Sequence, residues 1–223
     1  THHPIFFKPV QRVTAETWEG AVILKLAAAG CAVYSAHTAW DDAPLGINAR
    51  IANAIDLERQ QPLRQVSVSP ETFKKFGSEK VGQGCVGKLR EPLTLDEMLH
   101  CLGHWSCAKF IDVVLPDGRD RSEVFKVAAI GCGAGGSLIG AAMEHAVDVY
   151  VTGELRFHEA LSARSIGLAV ILLGHYHSEW AAMSELAEEE MEHSHSRGAG
   201  VVWVASSSEC NPINREFGIG SGN

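Results

Sequence analysis

The chain has 223 residues, of which 46% are hydrophobic and 21% charged, and a net charge of -8. It is long enough to bury a real core and ordinary in composition for a globular protein. The acidic balance, with no dense Lys/Arg cluster, speaks against direct nucleic-acid binding, and no apolar run reaches the roughly 18 residues a membrane span requires.

In chain order, Thr14 can cap a helix over 15–29, with Trp18, Val22, Ile23 and Leu26 on one face. Gly30 ends it, and 31–35 reads as a short buried strand. A loop over 37–44 leads to a second helix at 45–57. Residues 59–93, rich in Gly, Pro, Lys and Gln, read as loop with short strands. Thr94-Leu-Asp-Glu97 is a capping box, which sets a helix from Leu95 to about Gly103. Asp117-Gly118 marks a turn.

From Val124 strands and helices alternate: strand 124–130, a Gly-rich turn 131–136, helix 137–145, strand 147–152, helix 157–164, strand 168–173, helix 178–192 and strand 201–205. This rhythm predicts an α/β fold of two strand-helix alternating lobes with largely parallel sheets. The divisions are a first lobe at 1–58, a connector at 59–123, a second lobe at 124–206 and a fraying tail at 207–223. The chain opens at Thr1, without Met, directly on two histidines, and reads as a cropped chain. Six cysteines (Cys31, Cys85, Cys101, Cys107, Cys132, Cys210) include no C-x-x-C pair, which argues against a disulfide framework or a thiolate zinc site and for the reducing cytoplasm.

The chemistry-bearing residues fall at equivalent structural places. His37 and Asp41 follow the strand at 31–35. His175, His177 and Glu179 follow the strand at 168–173. His2-His3 reads as following a strand that precedes the chain. In open α/β sheets ligands collect beyond the carboxyl ends of strands, so three loops would deliver imidazoles and carboxylates to one edge. His175 and Glu179, four apart, can reach one point. Two to four imidazoles with two carboxylates suit Fe, Mn, Zn or Co rather than Ca or Mg, and a bridged pair of such ions can bring a shared water's ionisation toward neutrality. His193 and His195 read as solvated.

A rival reading attaches to Gly131-Cys-Gly-Ala-Gly-Gly136. It matches G-x-G-x-x-G between a strand and a helix, and Glu154 stands where a ribose-binding acid would fall. Glycines also serve tight turns and close helix packing, and Glu154 could equally face the metal edge. No G-x-S-x-G elbow or Walker A sequence is present.

The combined motifs resemble the NIF-three-like family, also called dinuclear-metal-centre hexameric proteins, whose bacterial members carry the name GTP cyclohydrolase 1 type 2 homolog. The resemblance rests on His-His-Pro-Ile-Phe (2–6), Tyr-Ser-Ala-His-Thr-Ala-Trp-Asp (34–41) with Gly46-Ile-Asn48, the turn 131–137, Thr-Gly-Glu (152–154) with His158, and His175-Tyr-His-Ser-Glu179. It implies metal ligands at His2, His3, Asp41, His175 and Glu179, and two divalent ions (Zn, Fe or Mn). It also implies a pocket lined by His37, Glu154 and His158, a homohexamer, and a missing first strand–helix–strand unit. The function that follows is a metal-dependent hydrolase of a small nucleotide-like or phosphoester substrate, with His37 or His158 as general acid or base. A metal-holding scaffold with a protein partner, such as a transcription adaptor, is the alternative. The family's Thr-Glu-Arg-Gly after the last histidine is here Ser178-Glu179-Trp180-Ala181, and His177 is extra.

Overall fold

The computed structural model describes residues 1–67, 69–71, 74 and 82–213. Part of the connector and the tail beyond Ile213 lie outside the described residues. The helices are α1 (Trp18–Ala28), α2 (Thr38–Asp41), α3 (Ile47–Ala54), α4 (Leu95–Ser106), α5 (Ile139–Glu144), α6 (Phe157–Ser165) and α7 (His175–Ser196). The strands are β1 (Leu57–Gln61), β2 (Arg64–Gln65), β3 (Gly82–Gln83), β4 (Cys85–Thr94), β5 (Asp112–Val114), β6 (Val124–Ala134), β7 (Val149–Glu154) and β8 (Ala169–Leu172).

Six strands form one sheet in the order β1-β4-β6-β7-β8-β5, and β2 pairs with β3 in a small ribbon. The central strands β6, β7 and β8 run parallel, and β1, β4 and β5 add antiparallel margins. Side chains of a strand alternate between faces, so the sheet has two apolar layers. Ala128, Ile130, Val149, Val151 and Ile171 pack with α3, α4 and α7. Ala129, Tyr150 and Val170 pack with α5 and α6 on the opposite face. The α/β expectation holds, with the parallel part concentrated at the centre, where both faces are covered.

Several local expectations need correction. The first helix is capped by Thr17, whose hydroxyl accepts the Gly20 N–H at 3.1 Å, rather than by Thr14. The helix expected at 45–57 is the shorter α3, and the loop expected at 37–44 holds the single-turn helix α2. Segments 31–35 and 201–205 have strand-like composition but no strand partner, and Tyr34, Val202 and Val204 are exposed. The loop expected at 59–93 holds the ten-residue strand β4. Its Pro92 falls where the register with β6 shifts between Lys88 and Leu93, a place where a strand tolerates proline. The final helix starts at His175, not Ser178, because Gly174 takes φ 83° and turns the chain straight into it. Ser178 is instead an interior position whose hydroxyl donates to the His175 carbonyl at 2.8 Å.

Candidate metal centre

Glu179 sits in the first turns of α7, one helical turn beyond His175 and beyond the C-terminal end of β8. Its carboxylate reaches three imidazoles. Oε2 accepts from His3 Nε2 at 2.9 Å, while Oε1 faces His175 Nε2 at 3.2 Å and His2 Nε2 at 3.6 Å. His2 Nε2 also lies 3.4 Å from Asp41 Oδ1, at the C-terminal end of α2. The His37 ring completes the group, 5.4 Å from the His2 ring and 5.1 Å from the His3 ring, centroid to centroid. Residues 2–3, 37–41 and 175–179, remote from one another in the chain, therefore meet at one point, although no strand forms at 31–35.

The N-terminal residues are held by backbone pairing. His37 N–H donates to the His2 carbonyl at 3.1 Å, and Ser35 Oγ donates to the His3 carbonyl at 3.3 Å. His37 takes φ 46°, a conformation that costs a non-glycine residue about 1–3 kcal/mol and recurs at functional sites. On the other side, β6 runs on into the residues expected as a turn, and Gly133, where its register with β7 shifts, has φ 61°; a Cβ there would stand 2.7 Å from Glu179 Oε1. Glycine is required at 133 both for its backbone and for the room it leaves the carboxylate.

Charge in this cluster is strongly coupled. Burial opposes the ionisation of Glu179, but the His175 hydrogen bond and His2 outweigh it, holding its carboxyl well below the usual range. His175 is pushed up to about 9 by its hydrogen bond to Glu179, against burial, with Glu154 adding to the effect. Its Nδ1 donates to Glu154 Oε1 at 3.0 Å, which turns Nε2 toward the cluster. Burial raises Asp41, and burial with the neighbouring His2 and His3 lowers His37, keeping that ring neutral.

The donor set fits a metal ion. One ligand atom from each of His2, His3 and Glu179 lies within 4.8 Å of the others. Both ring nitrogens of His2, and Asp41 Oδ1, are buried without a hydrogen-bond partner among the described residues. Distances of 3.4 and 3.6 Å put the Nε2 of His2 near carboxylates without hydrogen bonding to them. Each such buried orphan costs about 1–3 kcal/mol, which coordination to a cation would offset. Imidazole and carboxylate together suit Zn, Fe or Mn.

Of the candidate ligands, His2, His3, Asp41, His175 and Glu179 converge. Among the candidate catalytic residues, His37 lies against them, Glu154 contacts them through His175, and His158 stands exposed in the first turn of α6 with no contact tying it to them. His177 turns away, its Nδ1 facing the Ser106 carbonyl at 3.2 Å. The Gly-rich turn serves packing: besides Gly133, a Cβ at Gly131 or Gly135 would strike the Tyr150 hydroxyl at 2.2 or 2.3 Å. With Glu154 committed to His175, the dinucleotide reading loses both its supports. Sequence reasoning missed Asp42, Cys132 and Ser178, which frame the cluster. Ser178 Oγ accepts the Gly133 N–H at 3.1 Å, and the Cys132 thiol lies beside Asp41.

Fold and cluster together define an α/β protein with a histidine–carboxylate centre able to take a metal ion. Residues 1–212 match the Duf34/NIF3 (NGG1p interacting factor 3) family, and the chain belongs to that family. It is 33% identical over 213 residues to the protein NIF3 homolog of Schizosaccharomyces pombe, covering 95% of this chain and 74% of that one. It is 27% identical over 192 residues to the GTP cyclohydrolase 1 type 2 homolog of Clostridium perfringens, covering 86% of this chain and 68% of that one. The crystal structure of a Bacillus cereus protein related to NIF3 superposes with a TM-score of 0.82 at 19% identity, covering 96% of this chain and 82% of that one, which establishes the shared fold. Among the described residues no helix is long and apolar enough to cross a membrane.

Proposed function

We propose that His2, His3, Asp41, His175 and Glu179 hold two divalent metal ions, Zn, Fe or Mn, and that the centre hydrolyses a small nucleotide-like or phosphoester substrate. The observation that carries this reading is the buried, unpartnered set of His2 nitrogens and Asp41 Oδ1 facing a carboxylate whose two oxygens serve different histidines. A carboxylate used from both oxygens suits a bridging role. When bound, a metal pair would supply Lewis-acid polarisation and bring the ionisation of water near neutral pH.

The chain's own residues then divide the work. Glu154 orients His175 through Nδ1. His37, neutral and beside His2 and His3, is the nearest free imidazole to accept a proton at a ring nitrogen. His158, exposed in the first turn of α6, is the other candidate acid or base. The resemblance implies a homohexamer, and the cysteine pattern favours a reducing compartment, the cytoplasm.

The test is metal loading of purified protein, a screen of nucleotides and phosphoesters, and chelation. Turnover that disappears with chelator and returns with one metal supports hydrolysis. A second reading, a metal-holding scaffold for a protein partner, draws on the exposed apolar run Val201–Val204 and on the interacting factor named in the family description. Its signature is absence of turnover together with metal-dependent assembly.

A further inference from the structure

Asn48 lies in the first turn of α3 and is 4% exposed. Its amide is used at both ends: Oδ1 accepts the Cys132 N–H at 2.8 Å, and Nδ2 donates to Asp42 Oδ1 at 3.1 Å. Asp42 Oδ1 accepts the Gly84 N–H as well, at 2.9 Å. One side chain thus spans from the residue after Asp41 to the residue before Gly133, whose missing Cβ makes room for Glu179. Asp42 is the chain neighbour of Asp41, and Cys132 that of Gly133.

We propose that Asn48 is a positioning residue, a strut that fixes the separation of Asp41 from Glu179 and thereby sets affinity for a divalent cation; this rests on the metal reading above. The chemistry demands an amide. Cys132 presents a donor and Asp42 an acceptor, so position 48 must accept at one end and donate at the other. Aspartate would still accept from Cys132 but would set a second carboxylate against Asp42. Alanine would leave a largely buried N–H without its acceptor. Outer groups of this kind typically change metal affinity by about 10–100-fold while leaving the ligands themselves in place.

The experiment is Zn²⁺ affinity by competition with a chromophoric chelator, with the Co²⁺ absorption spectrum as a geometric readout, on the full chain. Asn48→Asp should weaken Zn²⁺ by about 10–100-fold and alter the Co²⁺ spectrum while unfolding stays cooperative. Adding Asp42→Asn removes the carboxylate pair and should restore part of the loss. Ile51→Val, wholly buried in the same helix, should lower stability and leave affinity at the wild-type value. Should Asn48→Asp fail to fold, Asn48→Ala carries the same expectation without the added charge. Wild-type affinity in the Asn48 variants, or an equal loss in Ile51→Val, overturns the strut. A wild-type chain that takes up no Zn²⁺ at all defeats the metal reading instead, and the strut with it.

Discussion

The two regions that supply the candidate ligands are built differently. Around β6, β7 and β8 the runs Ala128–Ile130, Val149–Val151 and Ala169–Ile171 are all within 1% of complete burial, with helices on both faces. His175 and Glu179 stand on α7, which packs against that core. In residues 1–46, by contrast, α1 buries only Gly20, and Phe7, Trp18 and Tyr34 are exposed. His2 and His3 reach the centre on hydrogen bonds that their carbonyls accept from His37 N–H and Ser35 Oγ. One half of the candidate centre thus rests on the sheet, and the other comes from residues 1–46, an arm held at His2 and His3 by hydrogen bonds. A single histidine–carboxylate cluster can draw one half from a sheet scaffold and the other from a hydrogen-bonded clasp.

The largest effect should come from the scaffold. Ile171→Ala removes a side chain with no exposure and should cost about 2–5 kcal/mol in urea unfolding. A smaller loss would mean the central sheet is less decisive than the comparison holds. Next is the clasp. Metal at about a hundred times its dissociation constant should add about 2.7 kcal/mol to stability. Hydrogen-exchange protection should rise mainly in residues 1–46, with the β6–β8 amides little changed. Uniform protection across the chain would erase the distinction.

The pH dependence of the metal-free protein sharpens it further. His175 has its ordinary 6.5 raised to about 9 by Glu179, so the folded state binds the extra proton. Its contribution is fully present below pH 6.5 and is lost as pH rises through about 9. Unfolding midpoints of chelated protein should fall over that window, and Glu179→Gln should flatten the fall. The smallest effect belongs to the arm's surface: Trp18→Ala should change stability by no more than about 0.5 kcal/mol.

Legibility in the sequence followed the same division. Long periodic segments after Val124 yielded β6, β7, β8 and α6 nearly as observed, and the capping box at Thr94 marked the start of α4. β4 was hidden because Gly87, Lys88, Arg90, Glu91 and Pro92 interrupt its apolar alternation, and pairing with β6 overrides local preference. The start of α7 was placed three residues late, at Ser178: Gly174 turns the chain straight into the helix, and the Ser178 hydroxyl is used inside it and by Gly133. Segments 31–35 and 201–205 show the opposite case: among the described residues neither has a strand partner, so strand-like composition did not place them in the sheet. The five candidate ligands that the structure brings together were named from motif and resemblance. The hydrogen bonds of Asn48, Asp42 and Cys132 were not legible, since they join distant parts of the chain and no local spacing records them.

The central claim is that both regions hold the metal. Elemental analysis of desalted, metal-loaded protein tests it most directly, on wild type, His175→Ala, Glu179→Gln and Asp41→Asn, each verified to be folded. The account predicts two ions per chain in the wild type and a clear loss in all three variants, whether the altered ligand lies on the arm or on the scaffold. Full occupancy surviving Asp41→Asn, or surviving both scaffold substitutions, would contradict it.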